Sequence, residues 1–114
     1  MPRSFATEHP EFVLGVDIPS EFLDASQWED MSWHNEACPR FISRDTVTHN
    51  GMTAKVCVWV ERVNVGDRED TSFPRFGVEL VTPEDMESVS IAIDCDTLAQ
   101  VWAAIAGFAS TSPR

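Results

Sequence analysis

The sequence predicts an α+β domain: an antiparallel meander of four to five strands with one carboxy-terminal helix packed across one face. Three observations carry this expectation. Apolar residues alternate repeatedly between positions 40 and 94, the pair Asn50-Gly51 marks a tight hairpin, and DTLAQVWAAIAGFAS sets apolar residues at helical spacing. With 114 residues, 43% of them hydrophobic, one core and one domain over residues 1–114 are expected.

Taken in order, EFVLGVDIP alternates Phe12, Leu14, Val16 and Ile18 against Glu11, Val13, Gly15 and Asp17. That pattern predicts a half-buried strand over 11–18, stopped by Pro19. SEFLDASQWEDM then predicts a short helix or two turns over 20–31. Ser20 is a candidate cap there, and Ser26 with Glu29 has capping-box spacing. The meander over 40–94 starts with RFISRDTVTH and returns through TAKVCVWVERV. Val56, Val58 and Val60 share one face of the returning strand; Cys57, Trp59 and Glu61 share the other. NVGDREDTSFP reads as an exposed loop. RFGVELV should place Phe76, Val78 and Leu80 inward, TPEDMES should turn, and VSIAID should place Val89, Ile91 and Ile93 inward.

The helix is expected over 96–109, capped by Asp96 or Asp94. Leu98, Val101, Trp102, Ile105, Phe108 and Ala109 form its apolar stripe, with Trp102 buried in the core. Its opposite face, Ala99, Ala103, Ala106 and Gly107, carries no charge. Such a face suits a homodimer interface or a covering amino-terminal segment, or it is a bland exposed surface of good helix formers.

Charge is the strongest compositional signal: 19 acids against 8 Lys+Arg, a formal net of -11. From Ser4 to Pro39 the acids are Glu8, Glu11, Asp17, Glu21, Asp24, Glu29, Asp30 and Glu36, with no Lys or Arg among them. Phosphate contacts need cationic side chains, so direct nucleic-acid binding is disfavoured and a basic protein surface is favoured. Solubility alone is the plainer explanation of the same charge. Three cysteines cannot close into disulfides completely, and MPRSFATEHPEF lacks the apolar run of a secretory signal. A cytoplasmic location, with no membrane association, is expected.

No motif settles a reaction, and no cofactor is expected. His34 and Cys38 are four apart and would share a face on a helix, as zinc ligands or as a cysteine nucleophile with its base. No CxxC or HxxxH accompanies them. The stretch that contains them, WEDMSWHNEACPRF, is read first as a corner leading into the strand at Arg40, with Trp28 or Trp33 covering one end of the sheet. The functional alternative is an aromatic anchor with an acidic rim, which Trp59 could extend from the uncovered sheet face.

Asp30, Ser32, Asn35, Cys38, Pro39 and Phe41 form a D-x-S-x-x-N-x-x-C-P-x-aromatic stretch. In this the chain resembles a group of small uncharacterised bacterial and mobile-element proteins. In size and acidity it is similar to phage anti-CRISPR proteins and to nuclease-immunity proteins. That resemblance of type implies a non-enzymatic inhibitor acting as a nucleic-acid mimic. Carboxylates two apart on a strand lie about 6.6 Å apart and those four apart on a helix about 6 Å. Both intervals approach the spacing of successive phosphates. The expected partner-binding residues are Glu21, Asp24, Glu29, Asp30, Trp33, Glu36 and Trp59. The alternatives are a metal-binding or cysteine-dependent enzyme centred on Cys38 and His34, and a structural homodimer.

Overall fold

A computed structural model describes residues 4–36, 38–68, 70–90 and 92–110, without the side chains of Ala109 and Ser110. The architecture is α+β, as expected, with a six-stranded antiparallel sheet and a carboxy-terminal helix packed against it. The strands are β1 (Trp28–Asp30), β2 (Arg40–Ser43), β3 (Val47–His49), β4 (Met52–Val60), β5 (Phe76–Val81) and β6 (Ile93–Cys95). Their order is β1-β2-β4-β5-β6, and β3 also pairs with β4. The helices are α1 (Phe5–Glu8) and α2 (Leu98–Ser110).

β4 is the longest strand, and its valines explain why. Val56, Val58 and Val60 face the core while Cys57 and Trp59 face the other side. β5 adds Phe76, Val78 and Leu80 to the same core. The turn into β4 is the expected one: Asn50 has φ 52° and Gly51 φ 81°, the left-handed pair of a two-residue hairpin loop. β2 and β3 are two stretches of one bent strand. Ser43 accounts for the bend, because its hydroxyl donates to the Asp45 carbonyl and accepts from the Val56 amide.

Several expected elements differ. Residues 11–18 form a compact loop, because Gly15 turns the chain at φ 83° and Asp17 captures the Val13 amide at 2.9 Å. Phe12 and Ile18 are buried as expected, whereas Leu14 and Val16 are exposed. The short helix expected over 20–31 is a 3-10 turn, Ser20–Leu23, preceded by Pro19 in the cap position. Asp24 ends it by accepting from the Ser26 amide and hydroxyl, so Ser26 cannot cap and Trp28–Asp30 becomes a strand. Beyond β5, Ser88 bridges to Val81, and the last strand starts only at Ile93. Ile93 is 40% exposed at the sheet edge, Val89 packs on the core, and Ile91 lies outside the described residues.

α2 is capped by Thr97, whose hydroxyl accepts the Gln100 amide at 3.2 Å. Asp94 is committed to β6, and the Asp96 amide is itself held by the Gln100 side chain. Val101 and Phe108 are buried and Leu98, Ala104 and Ile105 pack partly against the core. Trp102, expected inside, is 38% exposed; it lies on Phe22 at 5.6 Å and near Trp28 at 6.4 Å, because the amino-terminal aromatics already fill the space beneath it. Ala109 of the expected stripe has no described side chain.

The core therefore has contributions from three sources on one face of the sheet: the strands, α2 and the amino-terminal segment through Phe12, Ile18 and Phe22. On the other face Ile42, Cys57 and Val81 are buried beneath Met31, Trp59 and Met86, side chains of the strands and their connections. No described helix is long and apolar enough to cross a membrane.

Candidate interaction surface

The stretch WEDMSWHNEACPRF is chiefly a corner. Trp28 is the tryptophan that covers the sheet, at 8% exposure, while Trp33 is 40% exposed. Asp30 builds the turn: its Oδ1 accepts from the Ser32 amide at 3.1 Å and hydroxyl at 2.6 Å, and its Oδ2 accepts from the Phe5 amide at 2.8 Å. The buried Ser32 hydroxyl in turn accepts from the Arg40 amide, closing the connection between β1 and β2. Asp30 thus ties three segments together. This is the physical role of the D-x-S part of the motif, and the same device recurs at Asp24-Ser26 and Asp70-Ser72. The repeated D-x-S spacing was readable in the sequence.

His34 and Cys38 are not brought together. None of the described residues from His34 to Cys38 is helical; His34 faces outward with Nδ1 2.9 Å from Glu8, and Cys38 is buried against the core. Burial pushes the thiols of Cys38 and Cys57 far above their ordinary value, reinforced at Cys38 by Glu61. Burial also raises Cys95, with Asp94 and Asp96 adding to the effect. His49 lies on β3 against Phe108, at the far end of β4 from Cys38. Among the described residues no group of three His, Cys, Asp or Glu side chains could hold a metal ion.

The expected acidic residues separate into two groups. Glu21 and Asp24 are exposed on the 3-10 turn and its end; Phe22 and Leu23 of that turn line a hollow of about 310 Å³ together with Glu29 and Asp30. Glu36 and Trp59 line a larger hollow of about 560 Å³ at one end of the uncovered sheet face. Glu36 and Glu61 also border a third hollow of about 310 Å³, which adds Glu8, Glu11 and Asp67. The acids of the amino-terminal run are not all available to a partner. Asp17 is buried and accepts from the Val13 and Val63 amides, Asp30 holds its turn, Glu8 holds His34 and Glu36 lies 3.6 Å from Arg40. Glu11, Glu21, Asp24 and Glu29 remain exposed.

The arginines are largely engaged within the chain. Arg44 Nε donates to the Ala25 carbonyl, and Arg68 donates to the carbonyls of Arg62 and Phe73. Arg75 donates to the carbonyls of Glu61 and Asp17, and Arg62 lies over the Phe12 ring. Arg40 lies over Trp59 at 5.0 Å. Their donors serve main-chain oxygens and ring faces more than carboxylates, while each guanidinium keeps the positive charge already counted in the net of -11.

The larger hollow has a simple origin in strand register. Arg40, Trp59, Gly77 and Asp94 stand opposite one another on β2, β4, β5 and β6, forming one row across the uncovered face. In that row Gly77 contributes no side chain, and a gap opens between the indole and the carboxylate. Trp59 is held in place by its indole N–H, which donates to Glu79 at 2.6 Å. Phe73 and Pro74 of the preceding loop add apolar wall. Sequence reasoning identified Trp59 but not Gly77 or Asp94; the absence of a side chain in mid-strand was the available signal.

The chain matches no protein-family model, no curated protein and no solved structure.

Proposed function

We propose that this is a non-enzymatic binding protein that uses its acidic surface to occupy a basic, nucleic-acid-binding site on a partner protein, in the manner of an anti-CRISPR or nuclease-immunity inhibitor. The supporting observation is the net charge of -11 with arginines turned onto the chain's own carbonyls and rings. Exposed carboxylates at Glu21, Asp24 and Glu29 supply a surface that attracts Arg and Lys at long range. Trp33 and Trp59 supply aromatic contact area.

The test is capture of a partner from host lysate by the native chain, followed by competition with a single-stranded oligonucleotide. The expected result is a nucleic-acid-binding protein released by the oligonucleotide and by raised salt. Reversing Glu21, Asp24 and Glu29 to lysine should abolish its capture. Capture that is indifferent to salt, oligonucleotide and charge reversal would overturn the reading.

A second reading, self-association through α2, is favoured by one observation. Ala99, Ala103, Ala106 and Gly107 are all exposed, beside the exposed ring of Trp102, on a helix without a charged residue. Light scattering decides it: a monomer at high protein concentration removes the dimer.

A further inference from the structure

We infer that the open edge of β1 is a docking site for an extended, basic segment of the partner protein. The segment adds to the sheet as a strand and places one apolar side chain in the adjacent hollow of about 310 Å³. The inference deepens the reading above and rests on it, naming where on the acidic surface the partner sits. Three features point to this occupant.

The first is the strand edge. β1 ends the sheet, with β2 on its one paired side. The Gln27 carbonyl accepts from the Arg44 amide and the Met31 amide donates to the Arg40 carbonyl, so Glu29, opposite Ile42, is the bonded position between them. Antiparallel bonding alternates, which turns the main-chain groups of Trp28 and Asp30 outward. The Trp28 amide is used by the Asp24 carbonyl at 2.9 Å. The Trp28 carbonyl and both main-chain groups of Asp30 have no backbone partner among the described residues. These are the groups to which a further strand hydrogen-bonds.

The second is the hollow. Phe22, Leu23, Ala25 and Trp28 give it apolar walls. Trp28 and Glu29 both line it, and neighbours along a strand point to opposite faces, so the hollow opens at the edge rather than on one face. Its volume is at the low end of ligand clefts, about 300–1,000 Å³, which suits a single anchoring side chain. Leu23 and Trp102 are 39% and 38% exposed, and the Trp102 ring lies 5.6 Å from that of Phe22, so apolar surface continues beyond the hollow.

The third is charge. Glu29 lines the hollow, Glu21 and Asp24 adjoin its lining residues in sequence, and all three acids are exposed. The carboxylates of Glu21 and Glu29 have no ion pair or hydrogen bond among the described residues. Arg44 is the basic residue among those lining the hollow; its Nε donates to the Ala25 carbonyl, and its single charge does not balance three carboxylates. A second copy of this chain would bring the same acids face to face. A segment with lysine or arginine on either side of an apolar anchor satisfies edge, hollow and rim together.

The experiment uses the full chain and a short synthetic peptide that alternates lysine with valine and carries leucine at its central apolar position. Calorimetry gives the affinity, and the Asp30 amide and Trp28 indole signals report the place. The native chain should bind, more weakly as salt is raised, and both signals should shift. Ala25→Trp, which fills the hollow, should weaken binding about tenfold. The same peptide methylated at every second amide is made in both phases; one phase should lose about tenfold and the other should not. Glu29→Gln, an exposed change that leaves the core untouched, should cost about threefold. Light scattering accompanies each titration.

Unchanged affinity in a folded Ala25→Trp variant overturns the anchor in the hollow. Equal binding of the two methylated peptides overturns the added strand, whether or not that variant folds. A dimer of the chain that Ala25→Trp abolishes assigns the edge to a second copy and overturns the basic occupant. If the native chain leaves the peptide unbound, while reversing Glu21, Asp24 and Glu29 to lysine still abolishes partner capture, the docking site falls and the acidic-surface reading stands. Partner capture indifferent to that reversal, with no salt-dependent peptide binding, removes both.

Discussion

Asp24, Asp30 and Asp70 each accept from the amide and the hydroxyl of a serine two residues on. At Asp24 and Asp70 these bonds favour the charged form. The hydrogen bonds from Ser26 hold Asp24 below the ordinary aspartate value, and those from Ser72, the amide first, do the same for Asp70. The lowered folded value means that this stabilisation is present above the unfolded pKa and is lost as pH falls through the folded one. Ser72→Ala removes the hydroxyl and keeps the amide, so it should move the Asp70 titration midpoint upward only part of the way in a carbon-detected NMR titration; an unmoved midpoint would exclude the hydroxyl as a contributor. The buried thiols act in the opposite sense. Raised values for Cys38 and Cys57 mean stability present below the ordinary thiol value and lost as pH rises above it, where the unfolded chain releases protons first. Native protein should alkylate slowly at these two positions at neutral pH and rapidly once unfolded, as mass spectrometry of iodoacetamide-treated samples would record.

At the scale of elements, the β3–β4 hairpin and α2 depend on two local devices. Gly51→Ala places a Cβ at φ 81° and should cost about 1 kcal/mol. Thr97→Ala removes the cap of α2 and should also cost about 1 kcal/mol. Urea denaturation would check both, with an unchanged m-value if only stability is altered. The hairpin was legible because Asn-Gly has a local conformational preference. The β4 and β5 faces were legible because period-two burial needs no knowledge of what lies opposite. The 11–18 segment has the same alternation and is not a strand. There the Asp17 side chain offers the backbone a competing hydrogen bond and joins Val13 to Val63, which lies 46 residues beyond Asp17. Alternation records which residues are apolar, and a long-range polar contact can override it.

For the whole molecule, a net charge of -11 implies self-repulsion in the compact state. Added salt should raise the thermal midpoint in a calorimetric scan, and a midpoint indifferent to salt would mean that the exposed carboxylates are too dispersed to interact. The same charge underlies the proposed attraction for a basic partner, so partner binding should weaken over the range of salt in which the free protein gains stability. The candidate site was legible in part. Trp59 and the acidic run were visible because residue type and charge are properties of sequence. Asp30 and Glu36 were visible too, yet their hydrogen-bonding and pairing within the fold could not be read from their charge. Local periodicity, turn chemistry and composition were enough to read the class of fold, the hairpin, the two faces of β4 and the excess of acid from the residues alone. Which carboxylates face solvent, which tryptophan is covered, and the shared row of Arg40, Trp59, Gly77 and Asp94 became visible with the folded chain. Strand register brings together residues dozens of positions apart, and register is set by the packing of the whole sheet.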